Sequence, residues 1–441
     1  MATSNGRQSV WCAWRSFWVW SPEPGLVDAA KAAITQVLKL FGDVAVGSYQ
    51  ALTGALLSYT PQLLPVLWTR MQGLMHQCGG ASWRVGPWLP LAVDGSRVSV
   101  PRTQQNERRF CKPPKKRGQK KAQGKKRGRQ ASGKGRQGQR RRKSHYHPQA
   151  VGPQMWLTLI WHIGLRLPWC WKLGPSYASE RDHLRTMLEE QQFPKQTLFC
   201  GDAGFVGYEL WQAIVDHGYD FLIRVGSNVR LLKNLGTVRQ RHDIVYCWPN
   251  AAMKKKQPPL VLRLFRFHDG RGEVFLATNV VDEAALTAEH ASLIYRRRWG
   301  IEVQFRSLKQ TYGRAKLRSR TPEHAEIELH WSLLGLTMLE LLGMKEQARS
   351  GEPAAKTSIA AVLRIMRSMI AEQSETRPAS AALGKRLRKA VIDSYQRHGK
   401  KQSRHYPRRK EEPCAGAPII LIATKEHRAK LREILAGRRP A

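Results

Sequence analysis

Four side chains in the C-terminal half are spaced for work on an anion. Residues 294–309 read I-Y-R-R-R-W-G-I-E-V-Q-F-R-S-L-K. As an α-helix at 100° per residue, this stretch brings Tyr295, Arg298, Glu302 and Lys309 within roughly a 60° arc. Ile294, Ile301, Phe305 and Leu308 form a separate apolar stripe, displaced by roughly 80°. One helix can therefore bury an edge while presenting a phenol, a guanidinium, a carboxylate and an ammonium side by side. In such a layout the carboxylate can hold a metal and the cations can hold phosphates. A solvated helix with one charged face would show the same pattern. Gly300 argues against that bland alternative: inside a helix it costs about 1 kcal/mol relative to Ala, so close packing should require it.

Two aspartates invite the same reading. Residues 88–100, W-L-P-L-A-V-D-G-S-R-V-S-V, alternate with period two, and Asp94-Gly95 interrupts them. Asp-Gly is a turn signal, so the pattern predicts a hairpin-like pair of strand segments around residues 94–97. Asp202 follows an apolar run, T-L-F-C-G, and precedes Ala203-Gly204-Phe205. Each aspartate alone reads as a turn or capping residue; at the end of a strand, each also projects into a cleft. Three acids converging in a strongly basic chain repel one another unless cations neutralise them, which points to divalent metal.

The rest of the composition supports an anionic partner. The 441 residues carry a net charge of +41, with a sequence pI near 10.6, and such an excess favours a polyanion, nucleic acid first. Residues 102–143 hold 19 Lys and Arg against one acid, Glu107, yet the remainder is still +23. Cysteines at 12, 78, 111, 170, 200, 247 and 414 form no C-x-x-C pair, which argues against a disulfide framework or zinc ribbon and fits a reducing cytosol. The histidines show no ligand spacing. No run reaches the ~18 apolar residues of a membrane span. Residues 11–20 are aromatic-rich but broken by Arg15, with no cleavage site of small residues after them, so a signal peptide is not expected.

The elements that must position these side chains follow from periodicity. Helices are expected at 28–41, 47–57 and 61–76, the last opened by Pro61; they form either a DNA-binding module or a layer over a sheet. Residues 101–147 are Lys-, Arg-, Gly- and Gln-rich and expected to be disordered when free, acting as a phosphate-binding arm. Strands at 155–164, 167–173, 197–201 and 221–225 alternate with helices at 179–190, capped by Ser179, and 208–217. That alternation indicates an α/β sheet. Residues 226–280 are mostly strand-like, with a hairpin turn at 268–272. Beyond 309, helices are expected at 323–342, 357–372 and 381–398, the last of them basic, and a strand at 419–423.

The spacing Tyr295-x2-Arg298-x3-Glu302-x6-Lys309 resembles the Tyr-Arg-Glu-Lys signature of DDE transposases of bacterial insertion sequences. The branch it resembles carries a β-strand insertion domain and resolves ends through DNA hairpins. V-D-G-S at Asp94 looks like the first acidic motif of that family and G-D-A-G-F at Asp202 like the second. The resemblance covers about residues 88–345. It implies a ribonuclease H-like (retroviral-integrase superfamily) mixed-sheet core with a β-rich insertion and helical N- and C-terminal regions. The divisions are then 1–85 helical, 86–225 first part of the core with 101–147 a basic insertion, 226–280 the β-rich insertion domain, 281–345 the second part of the core, and 346–441 a basic helical region.

The resemblance further implies a cut-and-paste DNA transposase using two-metal phosphoryl transfer. Asp94, Asp202 and Glu302 would hold two Mg²⁺ ions, with Mn²⁺ able to substitute. Tyr295, Arg298 and Lys309 would hold phosphate oxygens, and Arg224 resembles a DNA-contacting arginine of the family. Trp299, after the signature arginine, would stack an extruded base; the alternative is a packed core residue. Trp248 is a second candidate for that role. Partners would be double-stranded DNA, as element ends and target, and a second copy of the chain, in the bacterial cytoplasm and associated with the nucleoid when bound. Two rival readings are a related nuclease without strand transfer and a non-catalytic DNA-binding derivative. The basic insertion at 101–147 departs from the family, and the N-terminal region shows no helix-turn-helix.

Overall fold

Apolar residues recurring at helical spacing build the first layer. The computed structural model describes residues 18–23, 25–41, 48–113, 152–236, 241–268, 272–351, 356–372, 380–392 and 416–436. Helices α1 (Leu26–Phe41) and α2 (Tyr49–Gly79) precede the sheet. The two helices expected at 47–57 and 61–76 are in fact one, with Pro61 and Pro65 inside it. Leu52, Leu56, Thr60, Trp68, Met71 and Met75 keep a single buried stripe running past both prolines, and that packing overrides the local break. The layer covers the sheet: Gln72 donates to the Trp169 carbonyl at 2.8 Å, as does the Trp68 indole.

Strand β1 (Leu89–Ser99) runs straight through Asp94-Gly95. The hairpin expected there does not form, because β2 pairs along all of this stretch, Asp94 opposite Leu159 and Gly95 opposite Thr158, and that ladder outweighs the Asp-Gly turn preference. Helix α3 (Gln104–Phe110) follows, capped by Thr103, with Asn106 and Phe110 fully buried. This start of the 101–147 stretch is thus folded rather than disordered; residues 114–147 lie outside the described residues.

Next come β2 (Gln154–His162), β3 (Leu167–Pro175), α4 (Glu180–Glu190) with Ser179 as its cap, β4 (Thr197–Gly201), α5 (Tyr208–Asp216) and β5 (Asp220–Val225). The 226–280 block contributes β6 (Arg230–Lys233), β7 (Ile244–Cys247), α6 (Asn250–Lys254), β8 (Leu260–His268) and β9 (Glu273–Thr278). After it, α7 (Ala288–Arg298), α8 (Gly300–Arg306) and a π-helical turn (Ser307–Thr311) replace the one helix expected over 294–309. Helices α9 (Pro322–Ala348), α10 (Ile359–Glu372) and α11 (Ser380–Arg388), strand β10 (Ile419–Ile422) and α12 (Lys425–Ala436) complete the described chain. Residues 393–415, which include the end of the expected basic helix, lie outside the described residues.

The strands form one sheet in the order β10-β6-β7-β8-β9-β5-β4-β1-β2-β3. Within it, β1, β2 and β3 pair antiparallel, β4 joins β1 in parallel and β5 joins β4 in parallel. That is the strand order expected of a ribonuclease H-like core. The sheet continues past β5 through β9, which pairs with it antiparallel. Helix α9 is buried around most of its circumference, which explains its lack of one apolar stripe. Trp20 and Trp331 tie it to the N-terminal layer, donating to the Gly335 carbonyl at 3.1 Å and to Thr60 Oγ1 at 2.8 Å. No helix among the described residues is long and apolar enough to cross a membrane.

Trp211 on α5 joins the layers next to Asp202. It is fully buried, stacks on Phe221 with ring centroids 5.2 Å apart, and donates to the Phe205 carbonyl at 3.0 Å. Trp211→Ala is expected to lower unfolding free energy by about 3–5 kcal/mol, read from the denaturant midpoint at unchanged slope.

Candidate active site

The sheet register brings the two aspartates together. Ala92 of β1 pairs with Cys200 of β4 in parallel, and carrying that register forward sets Asp202 beside Asp94. Residues in parallel register share a face of the sheet, on strands about 4.8 Å apart. Asp94 Oδ1 accepts from the Gly95 backbone N–H at 2.8 Å. Asp202 leaves the end of β4 and caps a short turn, accepting from Gly204 N–H at 2.8 Å.

Burial pushes the Asp94 carboxyl up to about 6, and the negative charges of Asp202 and Glu302 add to the rise. The Gly95 N–H and the Arg298 guanidinium pull the other way. A fourth acid stands in the same field. Glu180, in the first turn of α4, is raised to about 7 by burial and then by Asp94 and Asp202. Its side chain lies over Gly95, where any Cβ would meet Glu180 Cγ and Cδ at 2.7 Å. A glycine after Asp94 therefore lets an acid approach the strand, a role its turn-forming character concealed.

The signature residues arrive from α7, α8 and the π turn. Ile294, Ile301, Phe305 and Leu308 are all buried, as the stripe requires. Gly300 lies on Trp161 of β2, where a Cβ would meet three ring carbons within 3.0 Å, so close packing does account for the glycine. Arg298 is nearly enclosed and approaches Glu302 at 3.8 Å. Burial lowers its pKa, but Cys200, Tyr295, Asp202 and Asp94 together carry it above the usual value. Its Nε and Nη1 are buried without a hydrogen-bond partner. The Tyr295 ring lies 5.6 Å from the Arg298 guanidinium, and its hydroxyl is raised by burial and held back by Arg298 and a hydrogen bond from Arg224. Lys309 is brought round by the π turn and donates to Ser96 Oγ at 2.7 Å, just beyond Asp94 on β1; desolvation lowers its pKa. Asp94, Asp202, Glu302, Arg298, Tyr295 and Arg224 thus lie within electrostatic reach of one another, and Lys309 is bonded to β1 two residues from Asp94. Trp299, at the break between α7 and α8, is 56% exposed, whereas Trp248 is buried and donates to the Gln257 carbonyl at 2.8 Å.

The sequence pattern of the family described as "Transposase DDE domain" matches residues 89–338. The chain belongs to that family. The transposase InsG for insertion sequence element IS4 from Escherichia coli (strain K12) is 25% identical over 225 residues, which cover 48% of this chain. The chain spans about half the length of that relative (50%). A piggyBac transposase in a synaptic complex with hairpin DNA aligns over 90% of this chain and 78% of its own, at 11% identity and a TM-score of 0.38.

The acids are within electrostatic range, but among the described residues no group of three His, Cys, Asp or Glu side chains is drawn together tightly enough to hold an ion. Glu302 leans on Arg298 instead. The donors are all oxygen, which suits Mg²⁺ or Mn²⁺, and the repulsion acting on Asp94 and Glu180 is what a divalent cation relieves. In donor type and charge, though not in their spacing here, the residues fit a hard divalent cation.

Sequence reasoning missed Glu180 and Ser96. An acid after a helix cap reads as an ordinary first-turn residue, and its approach to Asp94 depends on tertiary packing alone.

A raised carboxyl pKa means that the folded chain holds more protons than the unfolded one, so this contribution to stability is lost as pH rises. For Asp94 and Glu180 the loss falls between about pH 4 and 7. We expect melting temperature without divalent ions to fall across that window more steeply in the wild type than in Asp94→Asn. Added Mn²⁺ should raise it at pH 8 and not at pH 5. A slope identical in the two proteins would remove Asp94 from the acid cluster.

Proposed function

We propose that the chain is a DNA transposase that cuts at the ends of an insertion sequence and joins them to target DNA, by cut-and-paste through hairpin intermediates. The observation that carries this reading is the meeting of Asp94 and Asp202 with the signature helices, within a match to the family over residues 89–338. Asp94, Asp202 and Glu302 are the catalytic and metal-binding residues in this reading. Bound there, divalent ions, Mg²⁺ or Mn²⁺, supply an activated oxygen nucleophile and neutralise charge developing on the leaving oxygen.

The chain's own residues do the positioning. Arg298 offers a planar fork with two donors free of protein partners, a good fit to two phosphate oxygens. Lys309 adds a point charge at the β1 wall. Arg224 and Tyr295 extend the donors along the strand, and the exposed Trp299 is placed to stack a base. Outside the cleft, the basic excess holds the DNA backbone without reading its sequence. The reading also includes two copies acting on paired ends, and the division of the chain at 85, 225, 280 and 345.

Ends taken from short inverted repeats bounding the coding sequence provide the test. With Mg²⁺, the protein should nick and join them; with pre-cleaved ends it should join without prior cutting. Asp202→Asn and Glu302→Gln should reduce both steps to background, and Arg298→Ala should slow cleavage by roughly 10²–10³-fold. Cutting without joining would leave a nuclease, and full Mg²⁺-dependent cleavage by Asp202→Asn would remove the metal assignment.

Residues 111–143 give a separate prediction. Deleting them should weaken DNA binding and flatten the dependence of log K on log salt; an unchanged slope would mean that these charges do not touch phosphate.

A further inference from the structure

The first turn of α4 reaches both chain segments that carry the aspartates. Pairing of β1 with β4 ends at Ala92 and Cys200, so from Val93 to Val98 that edge of β1 has no ladder partner among the described residues. Glu180 lies against Gly95 on this stretch. The next residue, Arg181, donates from Nη1 to the Val206 carbonyl at 3.0 Å, just past the short turn that Asp202 caps. Two glycines let the helix come so close. A Cβ at Gly95 would meet Glu180 Cγ and Cδ at 2.7 Å, and one at Gly174 of β3 would meet His183 Nε2 at 2.7 Å. Residues 180 and 183 lie about one turn apart on α4. His183 Nδ1 is 2.8 Å from Thr158 Oγ1 of β2, the residue opposite Gly95. His183 therefore seats α4 on the sheet, and that seating holds Glu180 over Gly95.

Stability gives Glu180 no reason to stand there. Ser179, not Glu180, caps the helix by accepting from Asp182 N–H at 3.4 Å. Among the described residues Glu180 makes no hydrogen bond or ion pair, and the Arg181 beside it bonds a backbone carbonyl instead. Glu328 of α9 shows what a purely structural acid looks like in this fold. Its carboxylate accepts from Arg318 N–H, Ser319 N–H and Ser319 Oγ, all within 3.2 Å. Glu180 is instead half-buried, close enough to Asp94 and Asp202 for both charges to act on it. Like the other acids, it stands within electrostatic range of them and not in a closed ligand set. Unshared carboxylate oxygens crowded by like charge are the donors that a hard divalent cation takes.

We propose that Glu180 is a fourth acid of the metal site, its carboxylate held on Gly95 to bind, with Asp94 and Asp202, the divalent cation that the DNA reading requires. The proposal rests on that reading and adds to it a residue from α4, outside both aspartate segments and the signature helices. Gly95 belongs to the same device, because only a residue without a Cβ leaves room for the acid.

The test is a Mn²⁺ titration of the full chain at pH 8, read from the electron paramagnetic resonance of the free ion, with the melting temperature of the metal-free protein measured alongside. Glu180→Gln should weaken Mn²⁺ binding at least ~10-fold, the lower end of the loss when a group supporting a metal site is removed. Its metal-free melting temperature should stay level or rise, since one repelling charge is gone. Unchanged Mn²⁺ affinity would overturn the proposal. So would a lower metal-free melting temperature, which would make Glu180 a structural residue. Gly95→Ala gives an independent arm: it should weaken Mn²⁺ binding in the wild type and add nothing in Glu180→Gln. An equal loss in both backgrounds would mean that Gly95 acts without Glu180, against the proposal. Asp94→Asn separates the two levels of the argument. If it binds Mn²⁺ as tightly as the wild type, or if the wild type binds none, the metal assignment of the DNA reading falls. If Asp94→Asn loses the ion and Glu180→Gln keeps it, only Glu180 is removed.

Discussion

Like charge held close in a half-buried cleft is the constraint on which this arrangement depends. The parallel register of β1 with β4, carried two residues on, sets Asp94 beside Asp202, and the paired parts of both strands are buried on both faces. The register is therefore fixed by the core, and the core enforces the electrostatic conflict. Glu180 intensifies it, drawn over Gly95 by the first turn of α4. Natural proteins keep such conflicts where chemistry needs them. In a chain with 33 acids against 74 Lys and Arg, gathering several acids at one point would be a poor use of them for stability.

The contact between Gly300 and Trp161 sets the distance at which the signature helix meets the sheet. A side chain at 300 would lift α8 off β2, moving Glu302 from the acids and Gln304 from its hydrogen bond to Glu340 together. Since residues three and four apart share one helix face, α8 turns Glu302 to one side and Gly300, Val303, Gln304 and Ser307 to a pocket on the other. The π turn then adds a residue's worth of rotation, which carries Lys309 back to Ser96 instead of leaving it on the arc of an ideal helix.

Much of the site was legible because its signals are local. The spacing of Tyr295, Arg298, Glu302 and Lys309, the apolar stripe behind them and the two strand-to-glycine aspartates all lie within short windows. The errors arose where tertiary pairing overrode a local preference. Asp94-Gly95 is a turn signal, but pairing with β2 kept it extended. Pro61 marks a helix start, but a continuous buried stripe carried α2 through it. Glu180 and Ser96 were beyond reach for a related reason: each becomes informative only through a partner distant in sequence.

Of Asp94, Asp202 and Glu302, Glu302 alone stands on a helix, and that helix is short and irregular at both ends. Trp299 breaks it from α7 and the π turn ends it, so a small rotation of α8 changes the position of Glu302 without disturbing a strand. Asp94, by contrast, is held by the β1–β2 ladder and Asp202 by the turn it caps at the end of β4. The acid set therefore combines a rigid pair with an adjustable third member. Arg298, 3.8 Å from Glu302, is the nearest counter-charge, and it is a weak one at that separation. Asp94, Asp202 and Glu302 would together hold a divalent cation, whose double charge would compete with this guanidinium for Glu302. Release of Arg298 from Glu302 would then free its Nη2 beside the already unpartnered Nε, giving a phosphate two adjacent donors, so loading of the acids and gripping of the substrate would be coupled through one short helix.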